Sequence, residues 1–120
     1  MRYVQKNFSN QFDGDTFLEK EVNFFEADGT PLDLSDVTPR MQIRKGCENG
    51  KLVKTAVIGD GLRWENQGKG QLRFGNFPIN WGGSENYHYD IQFTYATSGI
   101  VRTYVKGIIK VIDDVTNVTT

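Results

Sequence analysis

The chain has 120 residues, a formal net charge of −1 and 38% hydrophobic residues, which fits one globular domain. A chain of this length buries roughly two-thirds of the surface that its unfolded form exposes, so a single core is feasible without disulfides. The near-neutral net charge argues against a general affinity for nucleic acid or for a membrane surface.

The first twelve residues precede the regular strand pattern and are interpreted as an N-terminal arm. They include Tyr3, Val4, Phe8 and Phe12, which is too apolar for a tail left in water. We expect residues 1–12 either to add a strand to the domain's own sheet or to pair with the edge of a neighbouring protein. The main domain is predicted over residues 13–116, and residues 117–120 form a polar C-terminal tail.

The next segment, "DTFLEKEVNFF", predicts a strand whose period-2 alternation slips. We expect Phe17 and Val22 both to be buried, with a bulge near Glu19 and Lys20. The turn "DGT" and Pro31 then make "TPLDL" an extended link. This link is predicted to place Leu32 and Leu34 on the core.

Short strands follow, separated by turns rich in Gly, Asn and Asp. "VTPRMQIRK" alternates strictly, and its Pro39 predicts an edge position or a place near the start of the strand. "LVKTAVI", "LRWEN" and "QLRFGNF" continue the pattern. Together with the later strands this indicates an all-β sandwich or barrel of about seven to eight strands.

The clearest signal is the hairpin formed by "YHYDIQFTY", the turn "ATSG" and "IVRTYVKGIIKVI". In the return strand, Val101, Val105, Ile109 and Val111 are expected to share one face with Thr103 and Gly107. A glycine on an inner face leaves room for a large opposing ring. Ten residues are predicted to be buried across the domain: Phe24, Met41, Ile43, Leu72, Phe74, Tyr89, Ile91, Phe93, Val105 and Ile109.

The residues do not predict a catalytic, cofactor or metal site. The single cysteine, Cys47, lies in a predicted surface turn and excludes an intrachain disulfide. The single histidine, His88, lies on an outward strand face without partners at a useful spacing. The acids of "DGD", Asp28 and Asp33 are interpreted as turn residues whose side chains bond the local backbone.

Aromatic residues outside the clearest strand faces are the remaining candidates for a binding role. Trp64 alternates with Leu62 and is therefore expected in the core. Tyr87 and Tyr104 are two further aromatic residues considered for a contact with a sugar or a protein partner. Trp81, next to Gly82 and Gly83 in the predicted 77–86 loop, is interpreted either as an exposed anchor or as a lid over the open end of the sandwich.

Charge and hydropathy bear on partners and location. From Asp13 to Asp36 there are eight acids and one lysine, and from Arg40 to Arg73 there are eight basic residues and three acids. We expect these segments to form solvated strand faces that pair with each other. Neither a transmembrane run nor an apolar signal sequence is visible, so we expect a protein kept in the cytosol or carried in a particle.

The order of turns and core positions resembles a group of small domains encoded by tailed bacteriophages and prophages. The resemblance covers residues 13–116 and rests on "GDTF", "EADGTPLDLSDVTPRMQIR", "GDGL", "YHYDIQFT" and "SGIVRTYVKGIIKV". Matching positions are Asp28, Gly29, Pro31, Leu32, Leu34, Met41, Ile43, Gly61, Tyr89, Asp90, Gly99, Val101, Gly107 and Val111. The chain departs from the group in "FPINWGGSEN", where members often have a short helical turn, and in the additional residues 1–12.

This resemblance implies an immunoglobulin-like antiparallel β-sandwich without enzymatic activity. It implies a structural protein of the virion tail, baseplate or tail-fibre attachment region, assembled in the host cytoplasm and acting through protein–protein contacts in a symmetric homo- or hetero-oligomer. Possible partner contacts are Tyr3, Phe8, Phe12 and Trp81. The alternative function is a carbohydrate-binding module that uses exposed aromatic residues.

Overall fold

The computed structural model describes residues 4–112, and almost all of its regular structure is β-strand. Within this range there are eleven strands and one short 3₁₀ helix, η1. Their bounds are β1 Val4–Gln5, β2 Phe8–Phe12, β3 Thr16–Phe17, β4 Lys20–Asn23, β5 Val37–Lys45, β6 Leu52–Ile58, β7 Gly61–Asn66, η1 Gln67–Lys69, β8 Gln71–Phe74, β9 Phe77–Pro78, β10 Glu85–Tyr95 and β11 Val101–Ile112.

Nine of these strands form one mixed sheet that curls over on itself. The order is β1-β11-β10-β5-β6-β7-β8-β4, with β2 also pairing with β11, and β3 and β9 form a separate two-stranded sheet. Most neighbours are antiparallel, but β1 and β2 run parallel to β11, and β6 runs parallel to β7. The all-β, sandwich-like fold is therefore confirmed, with more strand segments than the seven to eight predicted.

The sheet turns back between β6 and β7, which brings its two halves face to face. Aromatic rings from the two halves meet across the core: Trp64 of β7 lies 6.2 Å from Phe93 of β10, and Phe74 of β8 lies 5.9 Å from Tyr89 of β10, measured between ring centroids. All ten residues predicted to be buried are at most 3% exposed. The alternation of the strands thus identified the facing surfaces of the sandwich correctly.

Strands β10 and β11 form the predicted hairpin, but a bulge changes which side chains face inward. Ile91 pairs with Val105 and Gln92 pairs with Thr103, so Tyr104 is the additional residue on β11. Tyr104 and Val105 are both buried, and the alternation on the turn side of the bulge is reversed. The prediction that Val101 lies on the inner face was therefore wrong, because Val101 is 53% exposed.

The N-terminal segment is part of the main sheet. Val4 pairs with Val105, Phe8 with Ile109 and Phe12 with Ile112, which places β1 and β2 along the outer edge of β11. The backbone N–H of Lys6 donates to the Lys106 carbonyl at 3.0 Å. Of the two predicted alternatives for residues 1–12, addition to the domain's own sheet is correct for the described part.

Phe17 and Val22 are both buried, as predicted, but the strand between them is broken rather than bulged. Phe17 belongs to β3 and pairs with Phe77 of β9, whereas Val22 belongs to β4 and pairs with Leu72 of β8. The intervening Leu18 is 63% exposed. The slip in alternation therefore marks the point where the chain leaves one sheet and enters the other.

Candidate functional site

The predicted arm does not project freely from the domain over the residues that the structure describes. The ring of Phe8 packs edge-on against Phe17 and Phe74, with centroid distances of 5.6 and 5.9 Å. Phe12 is half-buried at the end of β2. Tyr3 lies outside the described residues. A partner contact through Phe8 would use only the exposed part of a side chain that also stabilises its own core.

The 77–86 segment is also more buried than predicted. Phe77, Ile79 and Trp81 alternate inward and are at most 5% exposed, and the segment begins with strand β9. The Trp81 ring packs edge-on against Tyr87 at a centroid distance of 5.2 Å. Of the two interpretations of Trp81, the exposed anchor is wrong, because pairing of β9 with β3 holds this segment over the core. The burial of Trp81 is consistent with the alternative, a lid over the end of the sandwich.

The other aromatic candidates do not provide an exposed platform either. Tyr87 is fully buried, Tyr104 is 7% exposed, and Trp64 is half-buried against the core. The hydroxyl groups of Tyr95 and Tyr104 lie 2.7 Å apart, and burial together with this hydrogen bond raises the pKa of Tyr95 to about 12. Among the described aromatic residues, Phe25 is the one that is more than half exposed.

Large aliphatic residues are exposed along β6 and beside the β10–β11 turn. Val57 and Ile58 at the end of β6 are 42% and 45% exposed, and Leu52 at its start is 40% exposed. Ile100 and Val101 next to the β10–β11 turn are 47% and 53% exposed. Consecutive residues of a strand point to opposite faces, so Val57 and Ile58 expose apolar surface on both faces of the sheet at the end of β6.

Oppositely charged side chains form a network on the outer face of β4, β7 and β8. Arg63 makes two hydrogen bonds with the Glu19 carboxylate, both 2.7 Å long, and Arg73 lies 3.0 Å from Glu21 and 3.2 Å from Glu65. The hydrogen bond from Arg63 holds the pKa of Glu19 below its usual value. The acidic and basic segments of the sequence thus pair with each other, as predicted.

A polar cleft of about 370 Å³ lies on the outer face of β5, β10 and β11. The residues that line it include Gln5, Gln42, Asn49, Asp90 and Lys106. The Oδ1 atom of Asp90 is buried and has no hydrogen-bond partner within the described structure. Burial raises the pKa of the Asp90 carboxyl, and the charge of nearby Lys106 opposes this effect. The cleft can offer hydrogen bonds to a small polar ligand.

Two of the predicted turn acids, Asp28 and Asp33, bond the local backbone as expected. Asp28 accepts hydrogen bonds from the backbone N–H of Thr30 at 3.0 Å and from its hydroxyl at 2.7 Å, and these bonds lower the pKa of Asp28. Asp33 bonds Ser35 in the same way. Cys47 is exposed. Residues 4–112 contain no group of three or more acids, cysteines or histidines arranged to hold a metal ion.

The described residues include no helix that is long and apolar enough to cross a membrane. Comparisons of the chain with protein-family models and with curated proteins find no match. The candidate surfaces are therefore defined by the geometry alone: the strand edges with exposed aliphatic residues, and the polar cleft around Asp90. The cleft was not predicted: Gln42 and Asp90 were both expected to face outward, but only the pairing of β5 with β10 brings them side by side.

Proposed function

We propose that this protein is a non-enzymatic structural protein of a tailed-phage virion, in the tail, baseplate or fibre-attachment region. It acts through contacts with other virion proteins in a symmetric homo- or hetero-oligomer. The observation that carries the proposal is the set of exposed aliphatic residues at strand ends of a closely packed sandwich. Such residues give a small rigid domain an apolar surface to bury against neighbours.

The resemblance of residues 13–116 to small domains of tailed phages supports the same proposal. The positions that carry this resemblance have clear structural roles: Met41, Ile43 and Tyr89 are core residues, and Asp28 with Gly29 forms a turn. A scaffold of this kind needs a stable core and fixed turns to hold its contact surfaces in a defined geometry.

The test is the composition of phage particles produced by bacteria that carry the gene. Particles are purified by density gradient, washed in high salt and analysed by quantitative mass spectrometry. We expect this protein at a fixed copy number relative to the major tail protein, with deletion of the gene giving defective particles that a plasmid copy restores. An abundant host protein serves as the control for contamination. Normal infectious particles that lack the protein would contradict the proposal.

A second candidate function is carbohydrate binding, now centred on the polar cleft rather than on exposed aromatic rings. The unpaired Asp90 oxygen beside Gln42 and Asn49 is the specific observation in its favour, because carboxylate and amide groups suit sugar hydroxyls. A glycan array followed by calorimetric titration tests it, with Asp90→Asn expected to weaken binding and Thr94→Ser as the control. Binding that is equal in both variants would exclude the cleft.

A further inference from the structure

The main sheet does not close on itself, because its two end strands do not pair with each other. Among the strands within residues 4–112, β4 pairs with β8 alone and β1 pairs with β11 alone. A groove of about 590 Å³, the β1–β4 groove, lies between them. Its lining residues are Val4 of β1, Asn23 at the end of β4, and Phe24, Phe25, Glu26, Ala27 and Leu32. Unpaired strand edges are templates for pairing with another chain.

The hydrogen bonds of Phe24 show which backbone groups face the groove. The Phe24 N–H donates to the Gly70 carbonyl at 2.9 Å, and the Phe24 carbonyl accepts from the Leu32 N–H at 3.0 Å. Both groups therefore point to the side of β4 on which β8 lies. Because backbone groups alternate in direction along a strand, the N–H and C=O of Asn23 and Phe25 point to the opposite side, toward the groove.

This side of the chain at Asn23 and Phe25 is open within the described residues. No strand of residues 4–112 pairs with it, and the Phe25 N–H has no backbone acceptor there. The gap is filled only at the other end of β4, where the Lys20 ammonium lies 5.7 Å from the centroid of the Phe8 ring. An additional strand therefore has room along residues 23–25.

The lining of the groove favours an apolar side chain on that strand. Alternate side chains of a strand point to opposite faces, so one set would enter the groove and the other would lie on the outer surface. The inner set would meet Val4, Leu32 and the edge of the buried Phe24. The outer set would lie beside Phe25, which is 51% exposed. Apolar cross-strand pairs of this kind stabilise a sheet.

Charge adds a second requirement for the occupant. Glu26 is the one charged residue among the described residues that line the groove, and it is exposed. Its carboxylate forms no hydrogen bond or ion pair within the described part of the chain. A lysine or arginine next to the apolar residue of the occupant would complement this charge.

We propose that the β1–β4 groove binds an extended segment of another protein of the assembly as an additional strand. Backbone hydrogen bonds to Asn23 and Phe25 hold the segment, its apolar side chain lies in the groove, and its basic side chain lies near Glu26. A strand is the occupant because extended backbone matches donors and acceptors that are spaced along a strand edge. This inference rests on the proposed function and deepens it, since it gives the chemistry of the partner segment and the surface that receives it.

The first test uses short synthetic peptides in which an apolar residue alternates with threonine, with lysine, glutamine or glutamate beside the apolar residue. Fluorescence polarisation measures their Kd for the full chain, and we expect the lysine peptides to bind most tightly. N-methylation of the two peptide amides that pair with the edge should raise the Kd by about tenfold or more, because backbone hydrogen bonds are lost. N-methylation of a terminal amide outside the paired segment is the control.

The second test locates the peptide and its charge partner. Amide hydrogen exchange should show new protection at Asn23 and Phe25 when the lysine peptide binds. Glu26→Lys should raise the Kd of the lysine peptide by about two- to fivefold and lower that of the glutamate peptide. The matched control is Glu85→Lys, which makes the same charge change at an exposed residue outside the groove and should alter neither Kd. Circular dichroism establishes that both variants are folded.

Three results would overturn the proposal: no peptide that binds, equal effects of the two lysine variants, or an N-methylated peptide that binds as tightly as the parent peptide. Two other occupants are also tested. A tenfold gain in peptide affinity on deletion of residues 1–3, which precede Val4, would mean that the chain covers its own groove. Self-association that excludes the peptide would assign the groove to a second copy. Each of these results overturns the proposal, whereas the composition of purified particles tests the proposed function independently.

Discussion

Replacement of Gly107 by alanine should loosen the N-terminal strands before it affects the rest of the sheet. Gly107 is buried on β11 opposite Tyr89, and the backbone of Lys6, just after strand β1, lies against it. A methyl group at this position would overlap the Lys6 carbonyl oxygen and lie 2.8 Å from Tyr89 Cε1. The opposing ring was predicted from the sequence, but the closer neighbour is the backbone of the N-terminal segment.

The size of the effect follows from two contributions. Overpacking of a tight site typically costs about 1–3 kcal/mol. Movement of the Lys6 carbonyl would also break its 2.7 Å hydrogen bond from the Tyr89 hydroxyl, and an unpaired buried hydroxyl costs about 1–3 kcal/mol. Because β1 is short and can shift, we expect a total near the lower end, about 2–3 kcal/mol. This corresponds to a decrease in Tm of roughly 6–15 °C for a domain of this size.

Thermal unfolding followed by circular dichroism measures the change in stability, and amide hydrogen exchange locates it. The Lys6 N–H, which donates to Lys106, should lose protection in Gly107→Ala, while the amides of β10 that face β5 keep theirs. Gly68→Ala is the control, because a methyl group there meets only the Asn66 side chain, at 3.8 Å. A Gly107→Ala protein with the Tm and exchange pattern of Gly68→Ala would refute the reasoning.

Three further predictions concern the core and the charged face. Phe93→Ala removes a ring that contacts Phe24, Trp64 and Tyr104 and should lower the free energy of unfolding by about 3–5 kcal/mol in urea titrations, whereas Phe25→Ala should change it little. Because Arg63 lowers the pKa of Glu19, their pair stabilises the fold above the unfolded-state pKa of about 4.3, and this stability is lost as pH falls through the lower folded pKa. Between pH 7 and pH 3, the free energy of unfolding of Glu19→Gln should therefore fall by up to about 1 kcal/mol less than that of the parent protein. An equal fall in both proteins would contradict this prediction. Trp81→Ala removes a ring that contacts Phe77 and Tyr87 and should lower the free energy of unfolding by about 3–5 kcal/mol in the same titrations, whereas an unchanged stability would show that the ring is not part of the core.

Local alternation was sufficient to predict most of the core. In β10, Tyr89, Ile91 and Phe93 alternate with polar residues, and a pleated strand sends alternate side chains to opposite faces whatever its neighbours are. The same argument held for Met41 and Ile43 in β5. These predictions depend only on the geometry of a single strand, and a single strand is what a short stretch of sequence specifies.

The surfaces depended on contacts between distant parts of the chain, which no short stretch contains. The burial of Trp81 follows from pairing of β9 with β3. The role of Gly107 follows from the pairing of β1 with β11, which brings Lys6 against a residue about one hundred positions away in sequence. Val101 faces outward because a bulge at Tyr104 reverses the alternation. The β1–β4 groove arises because the two end strands of the main sheet do not pair with each other. Composition and alternation therefore determined which residues form the core. Strand pairing decided which edges and clefts stay accessible for function. Pairing depends on the closure of long loops and on the register between strands that are distant in sequence, so a short stretch does not specify it.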